Sequence, residues 1–200
     1  MKIVNMLSSK NSLKVLRKTN ALLEGHFILS SGLHSSQYIQ CAKLLSFPNI
    51  AKNICNSLAK KIKKNFKKID LILAPAIGGI VIGYEIGRIL KVETIFAERV
   101  NGRFKLRRGF NIKKNSKVLI IEDVITTGGS SLECVNLIKK SNAKLLGFAS
   151  LIDRSTKKTL KIKGNKIISQ IKISVPTFKK NNLPKSLKSI PVTSPGSKYL

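Results

Sequence analysis

The segment that most constrains the fold is residues 118–130, which read VLIIEDVITTGGS. Its first four residues are aliphatic and are followed at once by Glu122 and Asp123, two of only nine acidic residues in the sequence. A short aliphatic run between polar residues is typical of a buried parallel strand. Residues 131–140 then carry Leu132, Val135 and Ile138 at helical spacing. The segment therefore predicts a strand that ends at Ile121, a loop of small and hydroxyl residues, and a helix.

The rest of the sequence alternates between strand and helix patterns, which predicts an α/β fold: one parallel sheet with helices on both faces. Two hundred residues suit a single domain of this kind. Further helices are predicted at residues 13–23, 48–64 and 80–90, and strands at residues 26–29, 35–40, 71–74, 93–97, 117–121, 144–152 and 167–175. From Pro176 onward Pro, Ser, Lys and Asn dominate, which predicts a loosely structured tail or surface wrap.

Several protein classes are excluded by composition. No apolar run approaches the roughly 18 residues of a membrane-spanning helix, and residues 1–12 lack the apolar core of a secretory signal. The three widely spaced cysteines, Cys41, Cys55 and Cys134, do not suit a disulfide framework or a zinc cluster. We therefore expect a cytoplasmic protein that does not bind membranes.

The formal net charge is +29, from 38 Lys and Arg against 9 Asp and Glu. Such an excess attracts nucleic acid or phosphorylated small molecules. Only seven of the 38 basic residues are arginines, and the lysines are scattered along the whole chain. Nucleic-acid-binding proteins more often gather basic residues on one face together with aromatic residues. A basic nucleic-acid-binding protein stays an alternative, but no nucleic-acid partner is expected.

The candidate site lies where predicted parallel strands end, since ligands of such sheets bind beyond the carboxyl ends of the strands. Three segments qualify: residues 74–79, residues 122–130, and Arg154 with its neighbour Asp153. The glycines and hydroxyls of residues 126–130, at a helix entrance, suit a phosphate monoester. Glu122 and Asp123 suit ribose hydroxyls, or a Mg²⁺ ion held largely through water. We expect both carboxylates to reach the site, because they follow the strand where the chain turns.

Residues 118–130 resemble the signature for phosphoribosyl pyrophosphate (PRPP) of the type I phosphoribosyltransferases. The chain is similar in particular to the orotate phosphoribosyltransferases of that family, colinearly over residues 13–176. Residues 25–35, GHFILSSGLHS, match their N-terminal hood, and residues 74–79, APAIGG, match their pyrophosphate loop. Residues 96–99 and 106–110 bracket their mobile loop. The resemblance implies a type I phosphoribosyltransferase fold in one domain, with a hood at about residues 20–45 plus a C-terminal segment, and a tail at residues 176–200.

The resemblance also implies a reaction. Orotate replaces the pyrophosphate of PRPP, giving orotidine 5′-monophosphate for pyrimidine synthesis, with Mg²⁺ as cofactor and a homodimer that shares its active sites. The implied PRPP-binding residues are Glu122, Asp123, Val124, Ile125, Thr126, Thr127, Gly128, Gly129 and Ser130. The implied orotate-binding residues are Thr126 and Arg154, and the pyrophosphate loop is Ala76, Ile77, Gly78 and Gly79. The implied catalytic residues are Asp123, Glu122, Lys105 and Arg99, and the mobile-loop cations are Arg99, Lys105 and Arg107.

The chain departs from the better-known members at three points. Ser30 and Gly78 stand where those members carry lysines, and the mobile loop has no histidine. Lys105 is the candidate to replace part of the loop charge. A second alternative is a relative that uses a purine base, or a regulator that kept the PRPP site without catalysis. The hood and Arg154 favour orotate over both.

Overall fold

The computed structural model describes residues 6–29, 31–157, 159–162 and 164–194. Ser30 and residues 195–200 of the predicted tail lie outside this part of the chain. The helices are α1 Ser9–Lys18, α2 Cys41–Leu45, α3 Pro48–Asn65, α4 Gly78–Leu90, α5 Gly129–Lys140 and α6 Lys185–Lys188. The strands are β1 Leu22–Ile28, β2 His34–Ile39, β3 Leu71–Pro75, β4 Thr94–Val100, β5 Arg103–Leu106, β6 Lys117–Ile125, β7 Lys144–Asp153, β8 Ile167–Lys172, β9 Thr177–Phe178 and β10 Val192–Thr193.

The main sheet has six strands in the order β5-β4-β3-β6-β7-β8. All neighbours run parallel except the edge strand β5, which pairs antiparallel with β4. Leu119 and Ile121 pack with α3 and α4 on one face, while Val118 and Ile120 pack with α5 on the other. Burial on both faces explains why these strands are continuous aliphatic runs rather than alternating ones. The predicted mostly parallel sheet with flanking helices is confirmed, as is the helix from Pro48.

Strand β6 is longer than the aliphatic run predicts. It continues through Glu122 and Asp123 to Ile125, because β7 pairs alongside it as far as Ile125 opposite Asp153. The expectation that the two acids follow the end of the strand is therefore wrong. Successive side chains of a strand point to opposite faces, so Glu122 lies on the α5 face and Asp123 on the α4 face.

A second sheet of four strands, in the order β10-β1-β2-β9, forms the hood region. The helix predicted for residues 13–23 ends at Lys18, and β1 begins at Leu22, because Asn20 adopts a positive φ of 52° that no helix continues through. Residues 177–193 contain short strands and a short helix instead of only a loose tail. Strand β10 pairs with β1, and β9 pairs with β2, so the C-terminal segment supplies both edges of this sheet.

Two buried histidines join the hood to the C-terminal segment. The Nε2 atom of His26 lies 2.7 Å from the Nδ1 atom of His34, and its Nδ1 atom lies 3.1 Å from the carbonyl oxygen of Ile190. A neutral His26 that donates to this carbonyl must accept at Nε2, so His34 is the donor within the pair. The pair is therefore a structural link between β1, β2 and the residues before β10.

Among the described residues, no helix is both long enough and apolar enough to cross a bilayer.

Candidate active site

Three segments meet at the carboxyl edge of the main sheet, as predicted from the sequence. Residues 76–79 follow β3, residues 126–128 follow β6, and Arg154 follows β7, and these three strands are neighbours. The backbone N–H of Arg154 donates to the carbonyl of Ile125 at 2.8 Å, and that of Lys161 donates to the carbonyl of Thr127 at 2.8 Å. These bonds tie the ends of β6 and β7, and the loop that follows β7, together at one edge of the sheet.

The loop between β6 and α5 leaves helical N–H groups available for an anion. Thr126 and Thr127 are exposed, and α5 begins at Gly129 with no side-chain cap from any described residue. Gly128 has a φ of 73°, and a Cβ there would lie 2.8 Å from the side chain of Ile162. Only glycine suits this turn. The uncapped start of α5 can thus bind a phosphate through backbone N–H groups and nearby hydroxyls.

Glu122 is a partly buried carboxylate beneath this loop. It accepts a hydrogen bond at Oε1 from the hydroxyl of Ser131, a fully buried residue in the first turn of α5. Burial raises the pKa of Glu122 to about 7, against the lowering effect of the Ser131 hydrogen bond and with a smaller contribution from Asp123. Ser131 was not predicted from the sequence, since a serine inside an apolar helix pattern carries no signal of its own.

Asp123 lies on the other face, against the start of α4. Its Oδ1 accepts a hydrogen bond from the N–H of Val124 at 2.9 Å. A Cβ on Gly78 would lie 2.7 Å from both Asp123 carboxylate oxygens, so the carboxylate occupies space that only a glycine leaves open. Burial raises the pKa of Asp123 above its usual value. The two acids therefore flank the sheet, with Asp123 next to the pyrophosphate loop and Glu122 next to α5.

Arg154 points toward the hood and does not pair with its neighbour Asp153. Asp153 instead accepts from the N–H of Ser155 at 2.8 Å and lies 3.6 Å from Lys172. The Nε atom of Arg154 is buried and has no hydrogen-bond partner among the described residues. Burial lowers the pKa of Arg154, and the interaction with Tyr38 opposes this effect. An incompletely bonded guanidinium at the mouth of a site is suited to a ligand carboxylate.

Tyr38 on β2 brings the hood to this edge. Burial raises its pKa, Arg154 acts to lower it, and Asp123 acts to raise it, so the phenol lies within electrostatic range of both charged groups. Its ring lies 5.8 Å from that of Phe27. Tyr38 was not predicted at the site, because a single aromatic residue in a short strand carries no signal of a ligand contact.

The pyrophosphate loop is anchored to the neighbouring strand. The N–H of Ala76 donates to the carbonyl of Ala97 on β4 at 2.8 Å, and the peptide bond between Ala76 and Ile77 is cis. The Ile77 side chain is 86% exposed. A Cβ on Gly79 would lie 3.0 Å from the carbonyl oxygen of Ile121, so the loop runs close against β6.

The segment predicted as a mobile loop is a tight hairpin in this structure. Strands β4 and β5 are joined by Asn101 and Gly102, whose positive φ values of 51° and 76° are typical of a two-residue hairpin turn. Arg99 binds Glu133 of α5 at 2.8 Å and lies 4.2 Å from the ring centre of Phe104. The Lys105 side chain is exposed. Arg99 and Lys105 thus lie on opposite faces of the hairpin and are not brought together.

The described residues contain no group of three or more His, Cys, Asp or Glu side chains that could enclose a metal ion. Glu122 and Asp123 are the acids of the site, and the sheet separates them. A magnesium ion here would take most of its oxygen ligands from a phosphorylated substrate and from water, as this ion commonly does.

Comparison with known proteins agrees with this geometry. The chain matches the family described as "Phosphoribosyl transferase domain" over residues 42–187. It is 44% identical to the orotate phosphoribosyltransferase of Carboxydothermus hydrogenoformans over 92% of this chain and 96% of that protein. It is 43% identical to the enzyme of the same name from Thermotoga maritima, over 94% of this chain and 98% of that protein.

Solved structures show the same fold. The crystal structure of orotate phosphoribosyltransferase from Aeropyrum pernix aligns with a TM-score of 0.70 at 23% identity, over 80% of this chain and 92% of that one. An orotate phosphoribosyltransferase from Francisella tularensis aligns with a TM-score of 0.62 at 26% identity, over 84% of this chain and 86% of that one.

Proposed function

The chain belongs to the orotate phosphoribosyltransferases of the phosphoribosyl transferase family, and we propose that its carboxyl edge binds PRPP and orotate side by side. It is a glycosyltransferase that moves the 5-phosphoribosyl group of PRPP to orotate, giving orotidine 5′-monophosphate and pyrophosphate in pyrimidine biosynthesis. The observation that carries the assignment of the site is the β6–α5 unit, in which two half-buried carboxylates precede an uncapped helix start.

The 5′-phosphate of PRPP binds to the loop that starts α5. The N–H groups around Gly128 and Gly129 and the hydroxyls of Thr126, Thr127 and Ser130 are its donors. Val124 and Ile125 shape the strand that leads to this loop. The ribose hydroxyls donate to Glu122 and Asp123, which reach the sugar from the two faces of β6. Burial raises the pKa of both carboxyl groups. Hydrogen bonds from the sugar to their ionised forms offset the cost of that burial.

Orotate binds between Arg154 and the hood. The fork of donors of a guanidinium matches a planar carboxylate, and Nε of Arg154 is a buried donor that such a ligand satisfies. Thr126 borders the same space. We add Tyr38 to this set, because its phenol lies on the hood strand β2 and interacts electrostatically with Arg154.

The leaving pyrophosphate lies over the loop of Ala76, Ile77, Gly78 and Gly79. Charge develops on this group as the bond to the ribose carbon breaks, so positive groups close to it lower the barrier. The candidate cations are Lys105 of the hairpin and Arg107, which follows it. Arg99, predicted in the same role, lies on the other face of the hairpin and binds Glu133. Mg²⁺ is the proposed cofactor, with Asp123 as the nearest carboxylate to the pyrophosphate loop, and it supplies charge neutralisation of the diphosphate.

The active enzyme is a cytoplasmic homodimer in this proposal. An exposed apolar stripe runs along the start of α4, with Ile77 (just before the helix) 86%, Val81 52% and Tyr84 67% exposed. The resemblance implies a homodimer, and we assign this stripe to the contact with the second copy. A Val81→Lys variant should sediment as a monomer where the unchanged protein sediments as a dimer, and a dimeric variant would show that the contact lies elsewhere.

The direct test of the function is turnover by the purified protein. Loss of orotate absorbance should require PRPP and Mg²⁺ together, and adenine and hypoxanthine should not be consumed. Consumption of a purine without orotate turnover would contradict the assignment.

Two variants test the site residues separately. Asp123→Asn should cripple PRPP use, because it removes the charge that the ribose hydroxyls bind. Arg154→Ala should raise the KM for orotate far more than the KM for PRPP. Equal effects of Arg154→Ala on both substrates would refute its assignment to orotate.

A further inference from the structure

Glu98 on β4 binds two arginines from the segment that follows the hairpin. Its carboxylate accepts a hydrogen bond from Nε of Arg108 and lies 3.8 Å from Nη1 of Arg107. Lys105 is its directly opposite partner on β5. Two arginines therefore bind one carboxylate, so the cluster keeps an excess of positive charge, and Lys105 lies on the same face of the hairpin.

The carboxylate of the cluster is largely buried, whereas its two arginines are largely exposed to solvent. The Glu98 side chain is 18% exposed, whereas Arg107 and Arg108 are 60% and 63% exposed. The guanidinium of Arg108 lies 5.7 Å from the centre of the Phe96 ring, and Phe110 packs edge-on against that ring at 5.1 Å. Arg108 and Gly109 both have a positive φ, of 58° and 73°, which turns the chain back toward β4. The carboxylate and the aromatic floor thus fix the two arginines from beneath, while their outer sides face solvent.

Stability alone does not account for this arrangement. Exposed ion pairs contribute little to folding. A single arginine would also be enough to neutralise Glu98. The hydrogen bond from Arg108 lowers the pKa of Glu98, so the carboxylate stays ionised throughout the neutral range. Arg99, by contrast, is on the other face of the hairpin and is occupied by Glu133 and the carbonyl of Gly102.

The cluster lies beside the pyrophosphate loop. Glu98 follows Ala97, whose carbonyl accepts from the N–H of Ala76, the first residue of that loop. Gly78 provides no cationic side chain there. A diphosphate leaving group needs nearby positive charge, and the arginines on Glu98 are the cations that the fold orients next to this strand.

We propose that Glu98 is a positioning residue that holds Arg107 and Arg108 next to the pyrophosphate loop, where the two guanidiniums bind the departing pyrophosphate. This inference rests on the proposed function for the identity of the anion. Guanidinium forks bind phosphate oxygens in pairs, so two of them in fixed positions suit a diphosphate. Glu98 acts through the arginines and makes no contact with the substrate.

The test compares Glu98→Gln with Glu85→Gln. Glu85 is a matched control, since it is 20% exposed and binds Arg88 through two hydrogen bonds of 2.8 Å on α4. Binding of Mg-pyrophosphate, followed by calorimetry, should weaken about tenfold or more in Glu98→Gln and by less than about twofold in Glu85→Gln. The same factor should appear in kcat/KM for PRPP, with the KM for orotate nearly unchanged. Thermal unfolding of both variants shows whether each is folded.

The outcomes separate the inference from the proposed function. Equal pyrophosphate binding by Glu98→Gln and the unchanged protein would overturn the inference, even if orotate is turned over. Tighter binding would also overturn it, because Glu98 would then compete with the anion rather than orient its partners. Weakened pyrophosphate binding by Glu98→Gln, in a protein that does not use orotate, would support the role of Glu98 and refute orotate as the substrate. Glu98→Asp, which keeps the charge, should recover part of the binding.

Discussion

Replacement of Glu122 by glutamine should stabilise the protein at alkaline pH and change its stability little at acid pH. Burial raises the pKa of this carboxyl from 4.5 to about 7 in the folded state. The folded protein therefore binds a proton that the unfolded chain releases between these values. The stability that such a raised pKa provides is fully present at pH values below the pKa of the carboxyl in the unfolded chain. It is lost as the pH rises through the pKa of the carboxyl in the folded protein. An ionised Glu122 thus costs the fold about 3 kcal/mol above both values.

Glutamine removes this cost and keeps an oxygen that accepts from Ser131. The difference in free energy of unfolding between Glu122→Gln and the unchanged protein should therefore grow by about 2.5 kcal/mol between about pH 5 and about pH 8.5. Urea denaturation at several pH values measures it.

Asp70→Asn is the control for this measurement. A backbone hydrogen bond from Lys117 lowers the pKa of Asp70. Its titration lies below the window, so its difference from the unchanged protein should be constant across it. A difference for Glu122→Gln that is equally constant would refute the reasoning, since the carboxyl would then already be ionised in the folded protein at about pH 5.

Three further predictions follow from close contacts. Gly78→Ala should reduce PRPP affinity more than it reduces the free energy of unfolding, because its Cβ would lie 2.7 Å from the Asp123 carboxylate. If the losses in free energy of unfolding of Gly78→Ala and Asp123→Asn simply add in the double variant, the two residues do not interact and the reasoning is refuted. His26→Ala should destabilise the protein by about 1–3 kcal/mol, since it leaves the buried His34 and the carbonyl of Ile190 without their partner. The same variant should make the C-terminal segment more sensitive to limited proteolysis, and an unchanged cleavage rate would refute the proposed link.

The main sheet was predictable because its strands are buried on both faces. An aliphatic run such as residues 118–121 can satisfy such burial only in a central parallel strand. The exact end of that strand was not predictable, because the pairing of β6 with β7 carries it four residues beyond the aliphatic run, to Ile125. That extension decides on which face each acid lies, and it separates Glu122 from Asp123.

The hood and the hairpin show why local patterns were less informative there. β9 and β10 contain two residues each and form only by pairing with strands near the other end of the chain. The basic residues around Gly102 suggested a flexible loop, but Asn101 and Gly102 are also the preferred residues of a tight turn. Partners distant in sequence, such as Ser131 for Glu122 and Tyr38 for Arg154, leave no local signal.

The two edge strands supplied by residues 177–193 impose an order on the folding of this protein. All six strands of the main sheet precede Thr177, so the sheet and the start of α5 can form before the last part of the chain has been synthesised. The hood cannot acquire its edges until that part is released, and contacts between such distant residues form slowly. Under the proposed function, a nascent chain therefore gains its phosphate-binding loop before it gains the enclosure for a base, and a protein shortened ahead of β9 would be a folded sheet with an incomplete cover.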